Sequence, residues 1–366
     1  MWAMSAVISA WSAISAYGIG RDEFIAGLRA GRCALTPLDR ETWATPLEQA
    51  AVVPGSDARD LLGPRGTRSM DRVTALAVLA VGCLVDAGSG SRLPGVDEST
   101  ALVLGTSIGS VRSIVAFTRD SFTQQKPFFV DPARFPNTMM NCAAGRSAIW
   151  HGLRGPNATV AGGRAAALLA LNYAWRLQRA GRAGAVICGA AEELSPERAW
   201  IEWHARRDGE PAPVLGEGCA VVLLEAGARD GRSGLAELLA VEIGFSADAG
   251  EVVEALSGCL RRALGRVGIG PEVVWAVAPS ASARGGEQEG LALDAVLGCA
   301  ERRELRCAEL LGDTNAAAGA FQLAAVLAAA EGAGDAAGRV AIVTSVDRDG
   351  VVGCALLRIT HRECRG

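Results

Sequence analysis

Lysine is almost absent from this sequence of 366 residues: its 36 basic residues are nearly all Arg, 40 acidic residues oppose them, and the net charge is -4. With no Lys/Arg-rich block interleaved with aromatics, a surface that tracks nucleic-acid phosphates is excluded. Histidine is scarce too, with only His151, His204 and His361, and none has a partner at metal-ligand spacing, so no metal is expected. The ten cysteines include no CxxC pair, and Cys188, Cys219 and Cys354 fall inside apolar runs. They read as reduced, buried, small hydrophobes, not as a disulfide framework. Long hydrophobic runs are missing as well. The longest, around residues 74–83, falls short of the roughly 18 residues that span a bilayer. The apolar first fifteen residues lack a positively charged leader and run into Tyr17-Gly-Ile-Gly20, which reads as strand and turn, not as a signal peptide. A cytoplasmic location with no membrane contact is the expectation.

What is present is a core. Hydrophobic residues make up 50% of the chain and charged residues 21%, the composition of a globular protein large enough for one layered domain or two fused halves. Apolar, β-branched runs recur at residues 6–13, 101–106, 185–190, 220–225, 239–244, 273–277, 339–345 and 352–359. Such runs belong in sheets covered on both faces. Ala- and Leu-rich helical patterns lie between them at 69–87, 164–180, 250–267 and 315–332. The alternation predicts an α/β layered fold. A polar, Gly-rich break, Gly227-Ala-Arg-Asp-Gly-Arg-Ser-Gly234, divides the chain into halves at 1–230 and 231–366, with similar strand and helix order on each side. The stretch 316–330 carries no charge, so it reads as a central helix buried between two sheets.

Six segments, in order, carry a more specific pattern: Gly105-Thr-Ser-Ile-Gly109; Phe135-Pro-Asn-Thr-Met-Met-Asn141 running on to His151-Gly-Leu-Arg-Gly-Pro-Asn157; Val186-Ile-Cys-Gly-Ala-Ala-Glu192; Gly216-Glu-Gly-Cys-Ala-Val-Val-Leu-Leu-Glu225; Gly244-Phe-Ser-Ala-Asp248; and Gly312-Asp-Thr-Asn-Ala-Ala-Ala-Gly319. Together they resemble the β-ketoacyl synthase branch of the thiolase-like superfamily. The resemblance implies a five-layer αβαβα fold with two pseudo-repeated halves, a dimer, and a pocket that takes an acyl chain from an acyl carrier protein. It implies no cofactor. Working members use a Cys at a helix N-terminus, where the dipole favours the thiolate, and two His that stabilise developing negative charge.

Those residues are replaced here. In Gly155-Pro-Asn-Ala-Thr-Val-Ala-Gly-Gly-Arg164 the position that resembles the nucleophile holds Arg164, whose guanidinium stays protonated and cannot accept an acyl group. Ala308 stands where the family has Lys and Asp313 where it has one His. Ala278 or Pro279 occupies the place of the other His. The family's gating-Phe loop is here Asp347-Arg-Asp-Gly-Val-Val352, with no aromatic. Arg164 and Asp313 are near neighbours in the family fold, so a buried ion pair filling the vacated site is a further expectation.

A retained interface loop without the catalytic residues resembles the chain length factor, the inactive β subunit of type II polyketide synthases. The implied partner is an active ketosynthase, and the implied task is to shape the acyl tunnel at the shared interface. Chain length factors usually carry Gln where Arg164 stands, so makers of polyenes or other reduced chains fit as well as aromatic ones. Arg134, Phe135, Thr138, Met139 and Met140 are the candidates for the tunnel floor or dimer interface, with plain interface core as the alternative for the two Met. His151 reads as a helix C-terminal or core-edge residue and His204 as a solvated or interface residue. Trp200 and Trp203 either pack in the core or cover a groove. Two other function classes stay open. One is an independent acyltransferase or decarboxylase using Asp248, Glu192, Glu217, Ser107 or Ser280; the other is a non-catalytic homodimer that binds acyl carriers.

Overall fold

Ten strands, used as two runs of five, set the architecture. The computed structural model describes residues 6–55, 57–86, 91–207, 209–227, 234–248, 250–280, 285–298 and 302–360. The half-boundary expected at 230/231, most of the Gly-rich break around it, residues 281–284 and His361 lie outside the described residues. The first run is β1 (Ala6–Ser15), α1 (Arg21–Arg29), α2 (Arg72–Val85), β2 (Ala101–Thr106), α3 (Val111–Thr123), α4 (Cys142–His151), β3 (Asn157–Ala161), α5 (Ala166–Arg179), β4 (Ala185–Glu192), α6 (Pro196–His204) and β5 (Gly218–Ala226). The second is β6 (Ala236–Phe245), α7 (Val252–Val267), β7 (Val274–Ala278), α8 (Gly286–Leu297), β8 (Arg303–Glu304), α9 (Ala318–Ala330), β9 (Val340–Val346) and β10 (Val351–Ile359).

The strands of the first run lie in the order β3-β2-β4-β5-β1 and those of the second in the order β8-β7-β9-β10-β6. Each number in the second series is five more than in the first. Parallel and antiparallel pairings match as well: β2 is parallel to β3 and β4, β7 is parallel to β8 and β9, and the last two pairings of each series are antiparallel. The two expected sheets are present, and they join at one corner, where Ala6, Val7 and Ile8 of β1 pair with Leu238, Glu237 and Ala236 of β6. The central layer differs from the expectation of a single helix. It holds two, α5 and α9, each touching strands of both sheets.

Burial explains the layering. Helices α2 and α4 cover the outer face of the first sheet, clustering Leu76, Val81 and Ala144 with Leu104 of β2, and α7 and α8 cover the second, clustering Leu256, Leu260 and Leu293 with Ile342 of β9. Between the sheets the largest core joins Leu168 and Leu171 of α5 to Phe321, Leu323 and Val326 of α9. The result is five layers, αβαβα. Local signals set the helix ends: Asp71 caps α2 by accepting from Thr74 N at 2.9 Å, Ser195 caps α6 ahead of Pro196, and α7 stops at Gly268 with a left-handed φ of 72°. Among the described residues no helix is long and apolar enough to cross a membrane.

Candidate functional site

Both central helices begin with a single 3-10 turn, Gly163–Ala165 before α5 and Asn315–Ala317 before α9, and the two turns touch. Arg164 therefore sits in the turn ahead of α5 and not inside the helix, as the pattern at 164–180 had it. At this junction Arg164, Pro279, Ala308 and Asp313 line one cavity of about 10 Å³, together with Thr314 and Gln322. That space holds about one water molecule. Ala278 is not part of it. It ends β7 with its side chain in the central core and its carbonyl accepting from Gln322 Nε2, so Pro279 is the residue of that pair that faces the cavity.

The expected ion pair is formed. Arg164 Nη1 donates to Asp313 Oδ1 at 2.6 Å, and Nη2 donates to Oδ2, a bidentate fork. Asp313 Oδ1 also accepts from Asn315 N at 2.8 Å. The Asp313 carbonyl accepts from Gly216 N at 3.0 Å and from Arg198 Nη2 at 2.9 Å, while Arg198 Nη1 holds the carbonyls of Glu193 and Gly216. On the other flank Arg164 N donates to Asp347 Oδ1 at 2.8 Å. That approach needs Gly163, which has a φ of 50°, because a Cβ there would overlap the Asp347 carboxylate.

The electrostatics follow from these contacts. A cation at a helix N-terminus opposes the helix dipole, and the Asp313 carboxylate offsets that penalty. Burial pushes the Asp313 carboxyl up, but Arg164, then Arg198 and the Asn315 amide, outweigh it and hold it below the ordinary value. Burial lowers Arg164 as well, and Asp313 more than compensates. Both groups stay charged at neutral pH. The site thus holds a fixed, self-neutralised ion pair.

Neither described histidine reaches this cavity. His151 closes α4, its Nε2–H donates to the Val78 carbonyl at 2.8 Å, and burial holds its pKa below the usual range. His204 is exposed and stacks on Trp200 at 5.5 Å. Trp203 joins a small apolar cluster with Leu47, Leu194 and Leu215, whereas Trp200 is partly exposed, its indole N–H donating to the Ala44 carbonyl. Ser280, buried at the edge of the small cavity, donates its Oγ–H to Glu289 Oε2 at 2.9 Å and accepts from Val346 N at 3.2 Å, and among the described residues no histidine lies in that network.

The interface candidates gather elsewhere on the first half. Arg134, Phe135 and Thr138 lie on the 3-10 segment Pro132–Thr138, and Met139 and Met140 follow it. Phe135, Met139 and Met140 are exposed, at 53%, 44% and 46%. Arg134 lies 3.9 Å from Asp120 and 3.6 Å from Asp131, Thr138 Oγ1 donates to the Phe135 carbonyl, and the Phe135 ring sits 5.9 Å from Phe117 of α3. Ile149 and Trp150 on α4 are exposed too. Two residues escaped the sequence reading, buried Arg198 and the Glu202 partner of Arg348; the segment 244–248 was noted, but not that its Phe245 lies against Gly350 of the 347–350 turn. Each acts across the fold from distant sequence, so no local pattern marks it.

The profile described as "Beta-ketoacyl synthase, N-terminal domain" matches residues 5–229. The chain belongs to the β-ketoacyl synthase family. It is similar to a solved structure described as the ishigamide ketosynthase/chain length factor, with 46% identity, a TM-score of 0.92, and coverage of 98% of this chain and 100% of that one. It is 29% identical over 305 residues to 3-oxoacyl-[acyl-carrier-protein] synthase 2 of Rhizobium meliloti (strain 1021), spanning 72% of this chain and 70% of that protein. A β-ketoacyl synthase from Burkholderia phymatum STM815 shares the fold, with a TM-score of 0.77, 22% identity, and coverage of 98% and 100%. The five layers are thus the thiolase-like architecture of this family.

Proposed function

We propose that this chain is a non-catalytic chain length factor, a ketosynthase β subunit that pairs with an active ketosynthase and helps shape the acyl tunnel in polyketide or polyene biosynthesis. One observation carries the reading. The place where this family keeps its nucleophile holds the Arg164–Asp313 fork, with about 10 Å³ left beside it, too little for any acyl group. The apolar surface around Phe135, Met140 and Ile149 and the uncharged, half-exposed edge strand β3 supply a face for a partner. The 46% identity to a protein described as ketosynthase/chain length factor supports the same role. The acyl carrier protein with its growing chain is then a ligand of the pair, delivered through the active subunit.

The test is reconstitution. Co-expressed with a Cys-bearing ketosynthase of matching type, the chain is expected to elute as a heterodimer in size-exclusion chromatography. Condensation of malonyl- and acyl-carrier substrates is expected only when both subunits are present. A stable homodimer that condenses, decarboxylates or hydrolyses acyl carriers by itself would favour the independent-enzyme reading instead. In the active pair, Met139→Ala and Met140→Ala are expected to lengthen the products. An unchanged product distribution would reduce these two to interface core.

A further inference from the structure

Helix α3 is fixed to the body at one end. It buries only Val111, whereas α2 buries ten residues. The first turns of both helices meet at Glu193, which follows β4 and is 1% exposed. Arg112 N of α3 donates to Glu193 Oε1 at 3.3 Å, Ser110 Oγ lies 3.0 Å from the same oxygen, and Val73 N of α2 donates to Oε2 at 3.3 Å. Ser110 is also the N-cap of α3, accepting from Ser113 N at 3.2 Å, with the Ser113 hydroxyl 2.9 Å away. Each hydroxyl has one proton to give. The chain of bonds therefore runs outward from a neutral Glu193, through Ser110 to half-buried Ser113, and inward toward an ionised one.

Among the described residues no cation pairs with this carboxyl. Asp71, the cap of α2, and Glu192 of β4 add negative charge beside it. Arg72 is held by Glu217 and by the Val53 and Gly55 carbonyls, and Arg198 gives Nη1 to the Glu193 and Gly216 carbonyls. Arg146 and Cys142 of α4 lie near Asp71. Burial, then Asp71, keeps the Glu193 proton in place up to about pH 8.

We propose that Glu193 is a proton-held anchor of α3, so that local opening of α3, with the Pro132–Thr138 segment packed on it, is coupled to release of this carboxyl's proton. Opening lets water reach the carboxyl, which then ionises at its ordinary value of 4.5. Between about pH 4.5 and 8 each pH unit therefore favours the open form by up to tenfold, and above 8, where both forms are ionised, the effect levels off. Helix α3 yields before α2 because it has one buried residue to uncover against ten. Phe117 of α3 backs Phe135 at 5.9 Å, so on the pairing proposed above a docked partner, which holds α3 closed, takes up a proton.

The test is hydrogen exchange of the α3 amides at 113–123 in the chain alone, each rate corrected for its intrinsic value at that pH. Protection of α3 is expected to lie below that of α2 at every pH, to fall at least tenfold from about pH 6 to 8, and to level off from about 8 to 9. E193Q, neutral and of the same shape, is expected to keep α3 protection constant over that range. Protection of α3 that does not change with pH in the native chain would overturn the proposal, and so would an equal fall in E193Q. If E193Q does not fold, the native profile decides alone: a fall in α2 without one in α3 assigns proton release to global unfolding and overturns the anchor. Association with a ketosynthase does not enter these rates, so they stand whether or not the chain pairs.

Discussion

The two halves have one topology and two surfaces. Strand order, strand directions and helix placement repeat from β1–β5 to β6–β10, yet nearly all the exposed large apolar side chains belong to the first half. Among the described residues the second contributes only Phe245 and Leu291. The sheet edges differ in the same sense. The first sheet ends in β3, five uncharged residues with partly exposed side chains; the second ends in β8, the two charged residues Arg303 and Glu304. A short charged edge resists pairing and a longer neutral one invites it. Repetition of the fold thus accounts for the core, and departure from it marks the half to which the partner face is assigned in the proposed function.

The strongest challenge to this contrast is at the point where the halves touch. The Arg164–Asp313 fork takes one residue from the start of each central helix, so Asp313→Ala leaves a buried guanidinium without its counter-charge. A loss of about 3–5 kcal/mol in urea unfolding is expected, while R164M/D313L stays near the parent. If both variants unfold alike, the fork is not what joins the halves.

Next in size is the partner face. Ile149, 79% exposed on α4, and Leu291, 54% exposed on α8, occupy corresponding outer helices of the two halves. Ile149→Asp is expected to weaken association with the ketosynthase by about 2–4 kcal/mol, the range of a central interface residue, whereas Leu291→Asp leaves it unchanged. Titration calorimetry on the co-purified subunits reads both. Equal effects would erase the distinction between the two surfaces.

The most gradual effect is a slope with pH. Glu193 in the first half is fully buried, accepting from Ser110 Oγ at 3.0 Å and Val73 N at 3.3 Å, and burial, then Asp71, pushes its pKa up to about 8 from 4.5. The folded chain then keeps a proton that the unfolded chain has released. Unfolding free energy should fall as pH rises from about 4.5 to 8, by on the order of 1 kcal/mol per pH unit, and level off above. Glu193→Gln should flatten that slope. Asp313, held below its usual range, contributes in the opposite sense: its stability is present above the ordinary carboxylate pKa and is lost on acidification.

Much of this architecture was legible in the sequence because eight of the ten strands are built on apolar runs, and their boundaries fall within a few residues of the pattern. The two that were missed are the edge strands. β3, Asn-Ala-Thr-Val-Ala, has neither an apolar run nor clean alternation, and β8 is only two residues long. Helices α1, α3 and α8 were missed as well; α3 is largely exposed, and the apolar positions of α1 and α8 are interrupted by charges. At the site, Arg164 and Asp313 were picked out by resemblance alone, as the residues standing where the family's motifs have Cys and one His. Arg198 was not, since an Arg after Ser-Pro-Glu at a helix start reads as ordinary surface, and only the fold turns it inward onto three carbonyls.

The uncharged helix α9 has a consequence for how the chain comes into being. It covers the inner faces of both sheets, yet it is made about a hundred residues after β5 completes the first sheet. At ribosomal rates that interval lasts roughly 5–20 s, during which the inner face of the first sheet has α5 and α1 but not α9 to cover it. The nascent first half is therefore sticky for seconds, and it becomes a finished body only when about nine-tenths of the chain has been made.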